Sequence, residues 1–467
     1  MEASIGDDAA GDPGGDGGAG AAPGRCRAMT TTLTRRPRPP RPAVTPPGAP
    51  GGMACPGPRD AAWLARRLFP VLATAGLIAL SMASTTWWGP VLSGRPDWFR
   101  PDDLWGTLVA AQRLAHLDLA GLYTRPTGLI SLPGAAVVLV PVVALADAAG
   151  LPLQAHAVHP VVWLLAGPYE MALSAVVLFA ADALAERLGA SRPRRALVAG
   201  AGAVALSNVS VCWGHPEDAV AVGLLLLAFL ALSRARTARA GWLTGAAVAV
   251  QPLVLLALPV LVAAIEPRRR PGFVARAAAP GAALLAAAAV ANWTATVNAV
   301  TRQPNWPSVD HPTLWLSLAP HLPGGAVAAG PARMLAILAA CGCGLAAWRR
   351  CGDARRQDGS VAGGWEPDLL RYLLWLAAVA LALRSVFEPV MVAYYLWPPL
   401  ALALITAARS GPRLAATAIM AAVITFVSQA TWHSPWIWWL PMLAALALAL
   451  ALARPEIDWQ RERARLA

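Results

Sequence analysis

Lysine is absent from all 467 residues, so the net charge of +12 rests on arginine alone, a bias that GC-rich coding also produces. Charge of either sign is scarce: charged residues make up 14% of the chain, against about 25% in an ordinary soluble domain. With 57% hydrophobic residues and a mean hydropathy of +0.51, that scarcity excludes a soluble globular chain. The short alternating segments of a β-barrel are missing. Arginines are scattered among short loops rather than gathered on one basic face, which argues against nucleic acid as a partner. Six cysteines show neither disulfide nor zinc spacing, and Cys341 and Cys343, inside an apolar run, read as small buried hydrophobes.

What the chain has in abundance is long apolar runs. Segments near 68–86, 129–148, 157–186, 196–212, 218–232, 241–265, 277–292, 331–347, 369–387, 389–406, 414–430 and 436–453 each approach the length that crosses roughly 30 Å of hydrocarbon. The fold class they predict is all-α, a polytopic transmembrane bundle of about 11–13 helices spanning residues 61–455. Residues 1–60 are rich in Gly, Pro, Ala and Arg and bury too little to offset ordering entropy, which predicts a disordered cytoplasmic tail. A second cytoplasmic tail is expected at 456–467. The first apolar run begins too late for a signal peptide, and Met29 and Met53 are alternative starts.

Arginine marks cytoplasmic ends. Clusters at Arg66-Arg67, Arg192/Arg194/Arg195, Arg234/Arg236/Arg239, Arg268-Arg269-Arg270, Arg349-Arg350/Arg355-Arg356, Arg409/Arg413 and Arg461/Arg463/Arg465 therefore place the loops 87–128, 212–218, 293–330 and 431–435 outside, as well as a tight turn near Glu388. Both termini are then cytoplasmic and the chain is a multi-pass plasma-membrane protein. Segment 241–265 has two cytoplasmic ends, so it must turn back, with Gln251-Pro252 as the candidate turn. Segment 129–186 holds either three short crossings or one crossing plus a re-entrant piece.

Ionisable groups near hydrocarbon are costly and therefore functional suspects. Five of seven histidines, His116, His215, His311, His321 and His433, fall on the outer side. In the first outer loop, residues 101–118 predict a surface helix: Pro101 starts it, and Leu104, Leu108, Ala111 and Ala115 share a face. Asp102 and Asp103 open that helix, either as ordinary acids at its positive end or as a general base at the membrane surface. In "CWGHPEDA", Pro216 starts a membrane helix with His215 near its cap and Glu217 and Asp218 in its first turn. Dipole complementarity explains the acids alone; with histidine they also combine proton-transfer groups and an anion-binding helix end. No second His or Cys stands at zinc-ligand spacing, so no metal is indicated.

The loop "NAVTRQPNWPSVDHPTLW" carries Arg302, Asp310 and His311 and reads either as a binding loop or as a solvated connection. Arg384 and Glu388 sit at the outer ends of two helices, where they can pair or the arginine can hold a lipid phosphate. Twelve of twenty tryptophans lie at or near outer loops; an interfacial belt explains most of them, and a few could stack on sugar rings.

"DDLWGTLVAAQRLAHLDLAGLYT", followed by "GLISLPGAAVVLVPVVAL", resembles the start of the GT-C membrane glycosyltransferases. "WGHPEDAVAVGLLLLAFLAL" and "AGWLTGAAVAVQPLVLLALPVLV" are similar to the middle segment of actinobacterial polyprenol-phosphate-mannose-dependent mannosyltransferases, the glycosyltransferase family 87 type. The likeness covers most of residues 68–430, with His215 where glutamine is commoner and Gln251-Pro252 where a lysine-containing turn is usual. It implies transfer of a sugar, mannose in that family, from a polyprenyl-phosphate donor to a lipid or glycan acceptor on the outer face of a cell envelope. By matching position Asp102 or Asp103 is the base, with His215, Arg384 and, more weakly, Arg302 as phosphate ligands. No cofactor is implied beyond the lipid-linked donor. The rival expectation is a carrier or lipid flippase whose outer polar cluster is a gate, or a membrane protein without activity.

Overall fold

A computed structural model of the chain describes residues 65–83, 102–124, 129, 131–151, 153, 160–358, 365–429 and 435–456. The expected tails at 1–60 and 456–467, apart from Glu456, lie outside these residues, as do His433 and the 431–434 turn. The described residues are all-α with almost no strand. In order they form α1 (Leu68–Ala83), α2 (Asp102–Ala115), α3 (Pro133–Val137), α4 (Val140–Ala148), α5 (Pro160–Leu173), α6 (Ala175–Arg187), α7 (Arg192–Leu206), α8 (Pro216–Leu232) and α9 (Thr237–Val250). There follow α10 (Leu258–Ala264), α11 (Arg270–Ala291), α12 (Trp293–Thr301), α13 (Ala332–Asp358), α14 (Pro367–Phe387), α15 (Trp397–Ala407), α16 (Gly411–Val427) and α17 (Pro435–Ala453). Four stretches, Leu164–Arg187, Pro267–Ala291, Ala332–Ala354 and Pro367–Phe387, are long and apolar enough to cross a membrane.

Several helices are shorter than the apolar runs because proline and local turns interrupt them. Gln251 takes extended angles (φ −145°, ψ 111°), ending α9, and Pro252 opens a 3-10 turn (Pro252–Ala257) that leads into α10. The chain does reverse there. Gly241 and Gly245 of α9 face Phe273, Arg276 and Pro280 of α11, so those helices run side by side in the same direction. Arg270 at the start of α11 donates to the carbonyl of Ile265 (3.1 Å), returning the end of α10 to the level where α9 began. For 129–186 the structure has one long helix, Leu164–Arg187, plus the kinked pair α3–α4.

The apolar face expected for 101–118 exists, with Leu104, Leu108 and Ala111 buried. It packs against Leu139, Val142 and Val143 of the kinked pair. Segment 389–406 departs from the expected helix and tight turn. Val390–Met391 (β2) is extended and pairs antiparallel with His311–Pro312 (β1), and helix resumes only after the turn Ala393–Leu396. Pro389 and the β-branched Val390 and Val392 favour that extended geometry. Segment 293–330 is likewise not all loop, since Asn292 caps α12 by accepting from the amide of Ala295 (3.1 Å).

The two ends of the bundle differ in chemistry. At one, Arg195 and Arg67 close on the buried Asp182 (2.6 and 2.5 Å), and Arg194 donates to the carbonyl of Arg409. Arg187 there reaches the Trp365 carbonyl. At the other end lie Asp103, His215, Asp218, Arg384 and Glu388.

Candidate functional site

Asp103 owes its place to α2, which is fixed at its far end. Gln112 donates to Asp147 of α4 (3.0 Å), and Arg113 pairs with Asp118 (2.6 Å). Asp118 also accepts from the Gly121 amide, and those two bonds, the amide first, hold its carboxyl below the usual range. A Cβ at Gly121 would press on the paired Arg113 guanidinium and Asp118 carboxylate, so glycine leaves that pair undisturbed. Helix α8 presents the second element. A π-helical turn, Ser207–Cys212, and Gly214 at φ 70° bring the chain round to His215, and Pro216 starts the helix.

These two elements meet although 112 residues separate them. Asp103 Oδ2 lies 3.1 Å from His215 Nε2, and Glu217 Oε1 lies 2.7 Å from His215 Nδ1. Both ring nitrogens are thus taken by carboxylates, which leaves neither for a phosphate. Burial pulls the imidazole pKa down, but Glu217, Asp103 and Asp218 outweigh it and hold the pKa well above the ordinary value. The ring is then an imidazolium donating to both acids. Its face lies on Tyr394 (centroids 4.0 Å apart), which in turn meets Trp213 and, edge on, Tyr395. Asp103 keeps 47% of its side chain exposed and Glu217 only 4%, so one acid faces outward and the other is sealed in.

Asp218 does not join the histidine. It accepts from Gln251 Nε2 (2.6 Å), tying the first turn of α8 to the α9 break. Gln251 and Arg384 then border a cavity of about 270 Å³. Arg333, Gln303 and Glu388 give it a polar lining, and Leu253, Leu256, Val300, Ile337 and Phe387 an apolar one. Arg333 grips Glu388 with two nitrogens (2.5 and 3.2 Å), while Arg384 reaches it at 3.4 Å and lies 3.6 Å over the Tyr395 ring.

The remaining sequence candidates divide. Asp102 opens α2, but its side chain lies outside the described residues. Asp310 is half-buried and faces the cluster; burial first, then the Asp103 charge, raise its pKa to about 7 against the pull of His215. His311 stacks flat on Trp438 (3.9 Å, 6°) and, through β1, pins the 302–330 loop to the bundle. Thr313 secures the same junction by donating to the Glu388 carbonyl (2.6 Å). Arg302 is exposed and makes no side-chain hydrogen bond or ion pair among the described residues; its neighbour Gln303 lines the cavity instead.

Sequence reading missed Arg333, Tyr394, Tyr395 and Glu170. Arg333 was hidden at the start of an apolar run, and Glu170 is a lone acid inside one, which is itself the signal that should single out such residues. Glu170 is 1% exposed and neither oxygen has a hydrogen-bond partner among the described residues; the same holds for Glu217 Oε2 and Asp218 Oδ2. Among the described residues no group of three or more His, Cys, Asp or Glu is placed to hold a metal ion. Neither protein-family models, nor curated proteins, nor solved structures match the chain.

Proposed function

We propose that the chain is a membrane glycosyltransferase that moves a sugar, mannose by the family resemblance, from a polyprenyl-phosphate donor to a lipid or glycan acceptor. The observation that carries this is an exposed carboxylate, Asp103, linked through His215 and the start of α8 to Gln251, which borders a cavity lined by two arginines and an apolar wall. An amphiphilic phosphate lipid fits such a cavity: its phosphate meets Arg333 and Arg384, and its first isoprenes meet Leu253, Leu256 and Ile337. Asp103 takes the proton of the acceptor hydroxyl as that oxygen bonds to the anomeric carbon. The bond from that carbon to the phosphate oxygen breaks, and polyprenyl phosphate leaves with its charge held by the guanidiniums. His215, charged and hydrogen-bonded to Asp103 and Glu217, positions the base rather than binding the phosphate. In this reading the Asp103 end faces outward across the plasma membrane, and both termini are cytoplasmic.

The test is sugar transfer from polyprenyl-phosphate mannose in membranes carrying Asp103→Asn at matched protein abundance. Loss of a general base lowers the rate by about 10²–10⁴-fold with little change in donor binding. Wild-type transfer in that variant would exclude the mechanism.

A proton-coupled carrier or lipid flippase is the second reading, favoured by the unpartnered, buried Glu170 facing Glu217 and His215. In a carrier, Glu170→Gln abolishes proton-driven flux and Asp103→Asn does not. In a transferase, Asp103 is the sensitive position.

A further inference from the structure

At the opposite end of the bundle, the starts of α9 and α11 enclose a cleft of about 580 Å³ lined by Arg236, Arg239, Arg268, Arg269 and Arg276. No aspartate or glutamate lines it. We propose that this cleft binds a multiply charged phosphate group, carried either by an anionic lipid headgroup or by a soluble pyrophosphate.

Three observations support the site. First, several other arginines at this end are satisfied, Arg67 and Arg195 by Asp182, Arg194 by a carbonyl, Arg409 by Asp368 and Arg413 by Glu456, while Arg234 and Arg349 are unpaired among the described residues but do not line the cleft. Within the cleft, the side chains of Arg236, Arg239 and Arg268 make no hydrogen bond or ion pair among the described residues. Arg269 has only Glu266, at 3.2 Å in an exposed pair of the kind that contributes little. Second, Arg276 sits well inside the apolar helix, yet its guanidinium bends back to the cleft and donates to the Gly272 carbonyl (2.6 Å). Glycine makes room for that turn, since a Cβ at 272 would lie 2.9 Å from the guanidinium. Third, the α9 start carries no side-chain cap, so its first-turn amides add donors at the cleft wall.

Arginines that only orient a chain in the bilayer can be spread along the surface. Gathering five into one concavity costs mutual repulsion, which a ligand with two or more negative charges removes. A single phosphate diester would neutralise only one of those five charges. Basic pockets between helices at the membrane surface suit such headgroups.

The cleft lies at the far end of α9 from Gln251, so the inference stands independently of the transferase reading. The experiment titrates the full-length protein in neutral detergent with cardiolipin, read by native mass spectrometry, and separately with pyrophosphate, read by calorimetry. Arg239→Gln/Arg268→Gln/Arg269→Gln is compared with Arg192→Gln/Arg234→Gln/Arg349→Gln, which removes the same charge from this end outside the cleft. The cleft triple weakens binding by about a hundredfold, and the single Arg268→Gln by about fivefold. The control triple changes it by less than a factor of about three, as expected of charges outside the site. Loss of cardiolipin binding with no pyrophosphate binding assigns a lipid; loss of pyrophosphate binding assigns a soluble ligand. Equal weakening in both triples, or binding that survives the cleft triple, overturns the proposal. If the triple does not fold, Arg268→Gln against Arg349→Gln alone makes the same comparison.

Discussion

His215 has two ring nitrogens and two carboxylates to meet them, and that arithmetic sets its charge. A group whose folded pKa is raised stabilises the fold fully below its unfolded pKa and loses that contribution as pH rises through the folded value. For His215 the contribution is complete below about pH 6.5 and fades well above it. Asp310 follows the same sign at lower pH: its contribution is complete below 3.8 and is lost by about pH 7. Thermal midpoints of the purified protein check both, with pH 4 to 7.5 the window for Asp310 and a continuation to about pH 10 for His215. The wild type loses stability across that window relative to Asp310→Asn. Above it, the penalty of His215→Asn shrinks as the wild-type imidazolium discharges. An Asp310→Asn protein whose pH profile overlays the wild type would remove Asp310 from the cluster.

At the scale of elements, the site depends on how closely α9 approaches its neighbours, because α9 carries Gln251 to Asp218. A Cβ on Gly245 would lie 2.5 Å from the Arg276 carbonyl and 2.7 Å from Pro280, and one on Gly134 only 2.2 Å from the Ala249 carbonyl. Small residues allow such contacts where lipid supplies no hydrophobic drive between helices. Gly245→Leu therefore forces α9 from α11, with an overpacking cost of about 1–3 kcal/mol or more. The expected outcome is a lowered melting temperature together with loss of sugar transfer, although Gly245 touches no residue around Asp103 or the Arg333–Arg384 cavity. Gly200→Leu, where a Cβ meets nothing within 4 Å, is the matched control.

Across the whole molecule, polar chemistry is divided between two ends. In the proposed orientation the Asp103 end is extracellular. Single cysteines at exposed Ser308, near Asp310, and exposed Asp353, on the arginine side of α13, report the sidedness in a background with the native cysteines replaced by alanine. An impermeant thiol reagent applied to whole cells labels Ser308→Cys and spares Asp353→Cys. The reverse pattern would put the site in the cytoplasm and remove an outward-facing acceptor from the proposal.

Apolar length and period determined the all-α architecture, because a helix that satisfies its own backbone needs only a run of suitable side chains. Local signals were equally sufficient for the start of α8 at Pro216, the break at Gln251-Pro252 and the apolar face of α2, each set by residues within a few positions. The pairing of Asp103 with His215 had no such signal, and neither did the closing of Arg333 on Glu388 across 55 residues. The residues alone suggested that Asp103 and His215 share a site and that Glu217 and Asp218 both orient the imidazole; Glu217 does so at Nδ1, whereas Asp218 turns to Gln251. Val390 shows the limit at element scale: an apolar, β-branched stretch reads as a membrane helix until His311–Pro312 offers it a partner strand. Packing decided these matters, since which polar groups meet depends on how helices with uniformly apolar faces choose their neighbours.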